Sequence, residues 1–140
     1  MPPDRSIHRA AAADHAAVAR LFDTALLETD SERLRRQLAG ENGFVLVAGS
    51  EPPVGAIAVD AARQPLAGVD ISPVRITAIA VQRRQRDRGI GSRLVIAAAE
   101  RAAPRPLTAR FDQRVRPFYR ACGFDTEPRD GRLWGIRWPG

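Results

Sequence analysis

The order of hydrophobic patterns predicts a mixed α/β domain. Two observations carry that expectation. The first third of the chain places apolar residues at helical spacing, and the rest sets runs rich in β-branched residues between turn signals before closing on a strand, helix, strand unit. With 140 residues, 44% of them hydrophobic and 27% charged, the chain is sized for one domain, residues 1–140, with its own core. It is too apolar to be a disordered segment.

Taken in order, residues 6–9 read as a short extended piece. Asp14 then caps a helix on which Ala17, Val18, Leu21, Phe22 and Ala25 recur on one face. Ser31 opens a second helix through Leu34, Gln37 and Leu38, closed near Gly40. Residues 44–48 and 54–60 read as an antiparallel hairpin, because Pro52 and Pro53 forbid ladder pairing between them. After a polar connection over 61–73, "VRITAIAV" (74–81) is apolar on both faces toward its end, as a strand in the middle of a sheet is. Ile90, Leu94, Val95, Ala98 and Ala102 share one face of a helix that Pro104 and Pro106 end. A strand at 107–111, a short helix ending at Gly123 and a last strand in "LWGIRW" complete the chain.

The formal charge is +6, and every one of the 22 basic residues is arginine. Guanidinium groups keep their charge and pair bidentately with phosphate, so the excess favours an anionic ligand. Cys122 is the single cysteine, which excludes an internal disulfide and suits a reducing compartment. The N-terminal stretch has no continuous apolar run of the kind a signal peptide needs, and no later segment is long enough to span a bilayer. The expectation is a cytoplasmic protein with no membrane partner.

The stretch "VQRRQRDRGIGSRLV" (81–95) concentrates the chemistry. It follows a strand, carries Gly89 and Gly91, and runs into a helix. Glycine lets the backbone approach an anion, and the free N–H groups and positive dipole of a helix start attract one. The spacing is R-x-x-G-x-G from Arg86 to Gly91. It is neither the Walker nor the dinucleotide-binding pattern.

Here the chain resembles the GNAT superfamily of acyl-CoA-dependent N-acetyltransferases, whose signature is Gln/Arg-x-x-Gly-x-Gly/Ala after a central strand. "IAVQRRQRDRGIGSRLV" matches, with Asp87 where glycine is frequent. A closing motif of the family, N-x-x-A-x-x-(F/L/I)-Y-x-x-x-G-F, resembles "DQRVRPFYRACGF" at 112–124. Phe118, Tyr119, Gly123 and Phe124 fit it, while Asp112 replaces asparagine and Val115 alanine.

The resemblance implies a central mixed, largely antiparallel sheet of six to seven strands flanked by about four helices. It further implies acetyl-CoA as acyl donor, no metal, and transfer of the acetyl group to a primary amine of a small molecule, peptide or protein. Ile79, Ala80 and Val81 would pair with the pantetheine arm. Arg86, Asp87, Arg88, Gly89, Ile90, Gly91 and Ser92 would form the pyrophosphate loop. Tyr119 would protonate the departing thiolate, and family members are often dimers, so a homodimer is an expectation of the same kind. The chemistry agrees: aminolysis of a thioester needs a neutral amine, a polarised carbonyl and a proton for sulfur. No His, Glu or Cys is spaced as a covalent nucleophile, which leaves direct transfer.

Plainer readings stand beside these. Tyr119 as a core aromatic with its hydroxyl bonded to a neighbour is one, and Asp112 as a helix cap is another. Most arginines of the loop read as solvated side chains, Arg86 and Arg88 being the two singled out as phosphate partners. His8 and His15 read as surface positions and Cys122 as a packing residue. The general base is open between Asp60, Asp70 and a water chain. Two other functions compete: a non-enzymatic acyl-CoA-binding regulator, and an RNA-acting member suggested by the charge. At 6% aromatic residues the chain lacks a stacking platform, so nucleic acid ranks last.

Overall fold

The computed structural model describes residues 6–25, 27, 30–49, 52–62 and 70–139. Seven strands form one sheet: β1 (Ile7–Arg9), β2 (Gly43–Ala48), β3 (Gly55–Ala61), β4 (Val74–Val81), β5 (Leu107–Phe111), β6 (Asp125–Arg129) and β7 (Arg132–Arg137), in the order β1-β2-β3-β4-β5-β7-β6. Every pairing is antiparallel except β4 with β5. Four helices flank it: α1 (His15–Thr24), α2 (Ser31–Leu38), α3 (Ile90–Ala102) and α4 (Arg116–Ala121). The mixed sheet and helix count are those expected. Of the connection expected over 61–73, residues 63–69 lie outside the described residues.

Each face of the sheet has its own core. Val18, Leu21 and Phe22 of α1 with Leu34 and Leu38 of α2 cover Val45, Val47, Ala56 and Ala58 on one side. On the other, Ile90, Leu94, Val95 and Ala98 of α3 cover Leu46, Ile57, Val59 and Leu107, and Tyr119, Cys122 and Phe124 extend that core past β5. The alternation along β2 and β3 therefore feeds two hydrophobic layers, which is why both strands read as nearly continuous apolar runs.

Local chemistry corrects three expectations. Asp14 does not cap α1 through its side chain; a 3-10 turn (Ala12–Asp14) precedes that helix, and Asp14 Oδ2 accepts from the Ala11 N–H at 2.8 Å. Asp30, not Ser31, caps α2, its carboxylate accepting from Arg33 N at 3.0 Å. The strand β6 was not expected, because "DTEPR" is polar and contains a proline. It lies at the sheet edge, where a missing N–H costs no ladder bond. Asp130 and Gly131 turn it into β7 with φ of 51° and 79°, the left-handed pair of a tight hairpin.

Two irregularities in β4 make room for a site. The register with β3 runs Ala58↔Ala78 but Val59↔Ile76, so Thr77 is an extra, bulged residue. Pairing with β5 covers only Val74↔Leu107 and Arg75↔Thr108, after which the two parallel strands part.

The bulge is held by a hydrogen-bond chain. Thr77 Oγ1 donates to the Ala58 carbonyl at 3.1 Å and accepts from Gln37 Nε2 at 3.0 Å. The second proton of that amide goes to Asp60 Oδ1 at 2.8 Å, and Arg33 Nε lies 3.3 Å from Asp60 Oδ2. Gln37 is 2% exposed, so its two bonds anchor α2 to the irregular strand. Gln37→Leu is expected to lower unfolding stability by about 1 kcal/mol, near the low end for an orphaned acceptor because Asp60 keeps Arg33. Urea denaturation measures this, and unchanged stability would show that the chain contributes nothing net.

Candidate functional site

Beyond Val81 the chain makes a 3-10 turn (Arg83–Gln85), extends at Arg86 and enters α3 through Gly89, whose φ is 79°. Asp87 has φ 64°. It holds the left-handed conformation for which glycine is the easier residue, so the substitution noted in the sequence leaves the loop's path open to it. No side chain caps α3. Its first N–H groups and the dipole behind them are thus available to an anion.

A cavity of ≈ 450 Å³ and another of ≈ 760 Å³ meet around the parted strands. The larger one opens over the α3 N-terminus. Ile79, Ala80 and Val81 line it from β4, Arg86, Asp87 and Gly89 from the loop, and Ile90, Gly91 and Ser92 from α3. Arg88, grouped with these from sequence, is exposed and absent from the lining. Arg86, also exposed, does line the cavity, and its Nε donates to the Val81 carbonyl at 3.2 Å. Gln85, Val115 and Phe118 also line this cavity and were not foreseen as site residues. Phe118 had a visible signal, standing beside Tyr119 in the closing motif.

Gly91 tests whether the cavity fits a nucleotide-bearing thioester. A Cβ built there lies 3.3 Å from Phe118 Cε1 and 3.8 Å from Val81 Cγ2. The missing side chain is what keeps the floor of the larger cavity clear, next to unclaimed helix N–H groups. Space and donor set together fit a pyrophosphate and the arm that follows it.

The smaller cavity lies on the β5 side of the split. Thr77, Ala78, Phe111 and Asp112 line it, together with Arg33, Arg75, Arg110 and Arg132. Ile79, Val115 and Tyr119 belong to both cavities and form their common wall. Asp60 and Asp70, the carboxylates named from sequence as base candidates, line neither. Asp60 is committed to Gln37 and Arg33. Asp112 does cap the following 3-10 turn, its Oδ1 accepting from Arg114 N at 2.9 Å and Arg114 Nε at 3.3 Å. The first of these bonds, with the Arg114 charge behind it, holds its carboxyl below the usual range and makes it a weak base.

Tyr119 is 6% exposed. Its ring stacks on Phe111 at 4.3 Å and meets Phe118 and Phe124 edge-on at 5.2 Å. Among the described residues its hydroxyl has no hydrogen-bond partner. A buried phenol left unpaired carries a desolvation cost, which distinguishes it from the satisfied core tyrosine that the sequence left open. Burial, and secondarily the nearby Cys122 thiol, push its pKa up to about 12. Cys122 is itself raised by burial, against a hydrogen bond with Ser92.

The raised value has a consequence for stability. Below the phenol's ordinary pKa of 10.0 both folded and unfolded chains are protonated, and the contribution is complete. Between there and about 12 the unfolded chain loses the proton first, so stability falls as pH rises, by about 2 kcal/mol at pH 12. Tyr119→Phe is expected to remove that part of the alkaline slope; melting curves of both proteins across this range check it, and parallel slopes would refute it.

His8 is exposed, and His15 Nε2 lies 3.2 Å from Ser31 Oγ, joining α1 to α2 away from both cavities. Among the described residues no group of three or more His, Cys, Asp and Glu side chains could hold a metal ion, and no helix is long and apolar enough to cross a membrane.

Among solved structures, NAA60 of Arabidopsis thaliana in complex with acetyl-CoA superposes with a TM-score of 0.78 at 13% identity, over 94% of this chain and 96% of that one. A histone acetyltransferase HPA2-related protein of Corynebacterium glutamicum gives 0.69 at 19%, over 98% and 97%. An aminoglycoside acetyltransferase from an uncultured soil metagenomic sample, in complex with sisomicin, gives 0.69 at 22%, over 90% and 91%. At such identities the likeness establishes the fold. No curated protein matches the sequence significantly. Residues 10–138 match the acetyltransferase (GNAT) domain, nearly the whole chain, and the protein therefore belongs to the GNAT acetyltransferase family, whose members are acetyl-CoA-dependent acetyltransferases.

Proposed function

We propose that the protein moves the acetyl group of acetyl-CoA onto a primary amine by direct attack, with Tyr119 as proton donor to the departing sulfur. The observation that carries this reading is the unpaired Tyr119 hydroxyl in the wall shared by two cavities. Bound in the larger cavity, acetyl-CoA would supply an activated acyl carbon and a thiolate leaving group.

This chain's residues supply the rest. The N–H groups of the Arg86–Ser92 loop and the α3 dipole hold the pyrophosphate. The β4 backbone at Ile79, Ala80 and Val81, which no residue of β5 pairs with, offers donors and acceptors to the pantetheine amides and to the carbonyl oxygen. With Asp60 and Asp70 off the walls and Asp112 a weak base, deprotonation of the incoming ammonium falls to water. Tyr119 stays protonated at any working pH. Its acidity is low, so it donates only as negative charge collects on sulfur within the same dry wall, where the thiolate too is made more basic.

The test is a screen of amine acceptors with acetyl-CoA, following free thiol. Acceptor-dependent thiol release supports the reading. Tight acetyl-CoA binding with no release from any amine would instead favour a regulator that uses the cradle without chemistry.

A further inference from the structure

We propose that the acceptor is a small amine carrying its own oxyanion, a carboxylate or phosphonate, which Arg75 and Arg110 hold in the smaller cavity while the amine meets the common wall. The proposal rests on the transferase reading and narrows it to a substrate class.

The charge balance of the cavity is its basis. Four guanidinium groups line it, from Arg33, Arg75, Arg110 and Arg132, against one carboxylate, Asp112. Two of these five charges are already engaged with residues outside the cavity: Arg33 lies 3.3 Å from Asp60, and Asp112 accepts from Arg114. Arg75 and Arg110 have no ion pair among the described residues.

Their placement follows from the sheet. Arg75 pairs with Thr108 across the parallel β4–β5 ladder, and Arg110 stands two residues beyond Thr108, on the same face of β5. Two like charges projected from neighbouring strands toward one concave space repel one another, and an anion between them relieves that repulsion. Neither residue lines the larger cavity, so they do not serve the phosphates there, a task Arg86 is positioned for.

The remaining surface fits the other half of such a molecule. Ile76, Ala78, Ile79 and Phe111 add apolar lining beside Tyr119 in the same cavity. A cavity of ≈ 450 Å³ is of the size that receives small molecules. An amine, a short apolar spacer and an oxyanion match its phenol, apolar and guanidinium lining. Guanidinium forks accept carboxylate and phosphonate alike, so the shared oxyanion is the recognised feature.

The experiment compares β-alanine, γ-aminobutyrate and ε-aminocaproate with their carboxamides and with aminoethyl- and aminopropylphosphonate, by thiol release from acetyl-CoA. The anionic acceptors are expected to exceed the carboxamides by about tenfold or more in kcat/KM, the worth of a charge-assisted pair. Carboxylates and phosphonates are read separately, and whichever leads identifies the oxyanion. In Arg75→Gln and Arg110→Gln the preference should shrink toward parity, with KM for acetyl-CoA unchanged. Carboxamides used as well as the acids would overturn the proposal and leave the transferase standing. Should no amine release thiol, calorimetric titration with N-acetyl-γ-aminobutyrate and its carboxamide reads the anion site alone. Preference for the acid that both variants lose upholds the site, and equal binding overturns it.

Discussion

Gly91→Val is expected to yield a folded protein whose affinity for acetyl-CoA is at least about a hundredfold weaker. The expectation follows from position. Gly91 is the second residue of α3, in ordinary helical conformation, so a side chain meets no backbone strain there, and any residue but proline serves a helix better than glycine or about as well. What the side chain meets is the cavity. Its Cβ comes to 3.3 Å from Phe118 Cε1, and the two methyl groups of valine occupy the space between Phe118, Val81 and the α3 N-terminus. A hundredfold loss corresponds to about 2.7 kcal/mol of binding. Calorimetry with acetyl-CoA, beside a melting curve, separates binding from folding. Gly91→Ala should fall between, since its single methyl asks Phe118 to shift by only a few tenths of an ångström. Unchanged affinity in the folded valine variant would remove the loop and helix start from the proposed site.

The contrast between what was legible and what was not has physical causes. The loop could be read because its geometry depends on local residues: a strand's apolar run, glycines at Gly89 and Gly91, and a helix with a regular apolar face. The resemblance then carried roles onto ten residues that line one cavity together. Arg88 was the exception, because neighbouring residues in a turn point different ways and composition does not say which. The Thr77 bulge was hidden for another reason. It depends on Gln37, forty positions earlier in the chain, and buried glutamine within an otherwise helical pattern carries no mark of its partner. The polar strand β6 escaped because edge strands need neither alternation nor a full set of N–H donors. The arginines of the smaller cavity were read as a charge total. Only the parting of β4 from β5 gathers Arg75 and Arg110 with Arg33 and Arg132 around one space.

Tyr119→Phe should reduce turnover by about 10²- to 10⁴-fold while acetyl-CoA affinity changes little. The ring's contacts with Phe111, Phe118 and Phe124 survive the substitution. Because the lost hydroxyl has no partner among the described residues, its removal orphans nothing and relieves the cost of burying it. The variant should therefore melt at the wild-type temperature or slightly above, which a core tyrosine bonded to a neighbour would not do. A loss in kcat and kcat/KM together, with KM for acetyl-CoA held, is the pattern of an interaction made only in the transition state. Leaving-group identity sharpens the test. If the phenol delivers the proton, acyl donors with more acidic thiols should suffer less from its removal, because their thiolates depart without help. A loss below about tenfold, roughly 1.4 kcal/mol of barrier, that is the same for every thiol would assign protonation to water or to the attacking amine. Tyr119 would then be a wall of the site and nothing more.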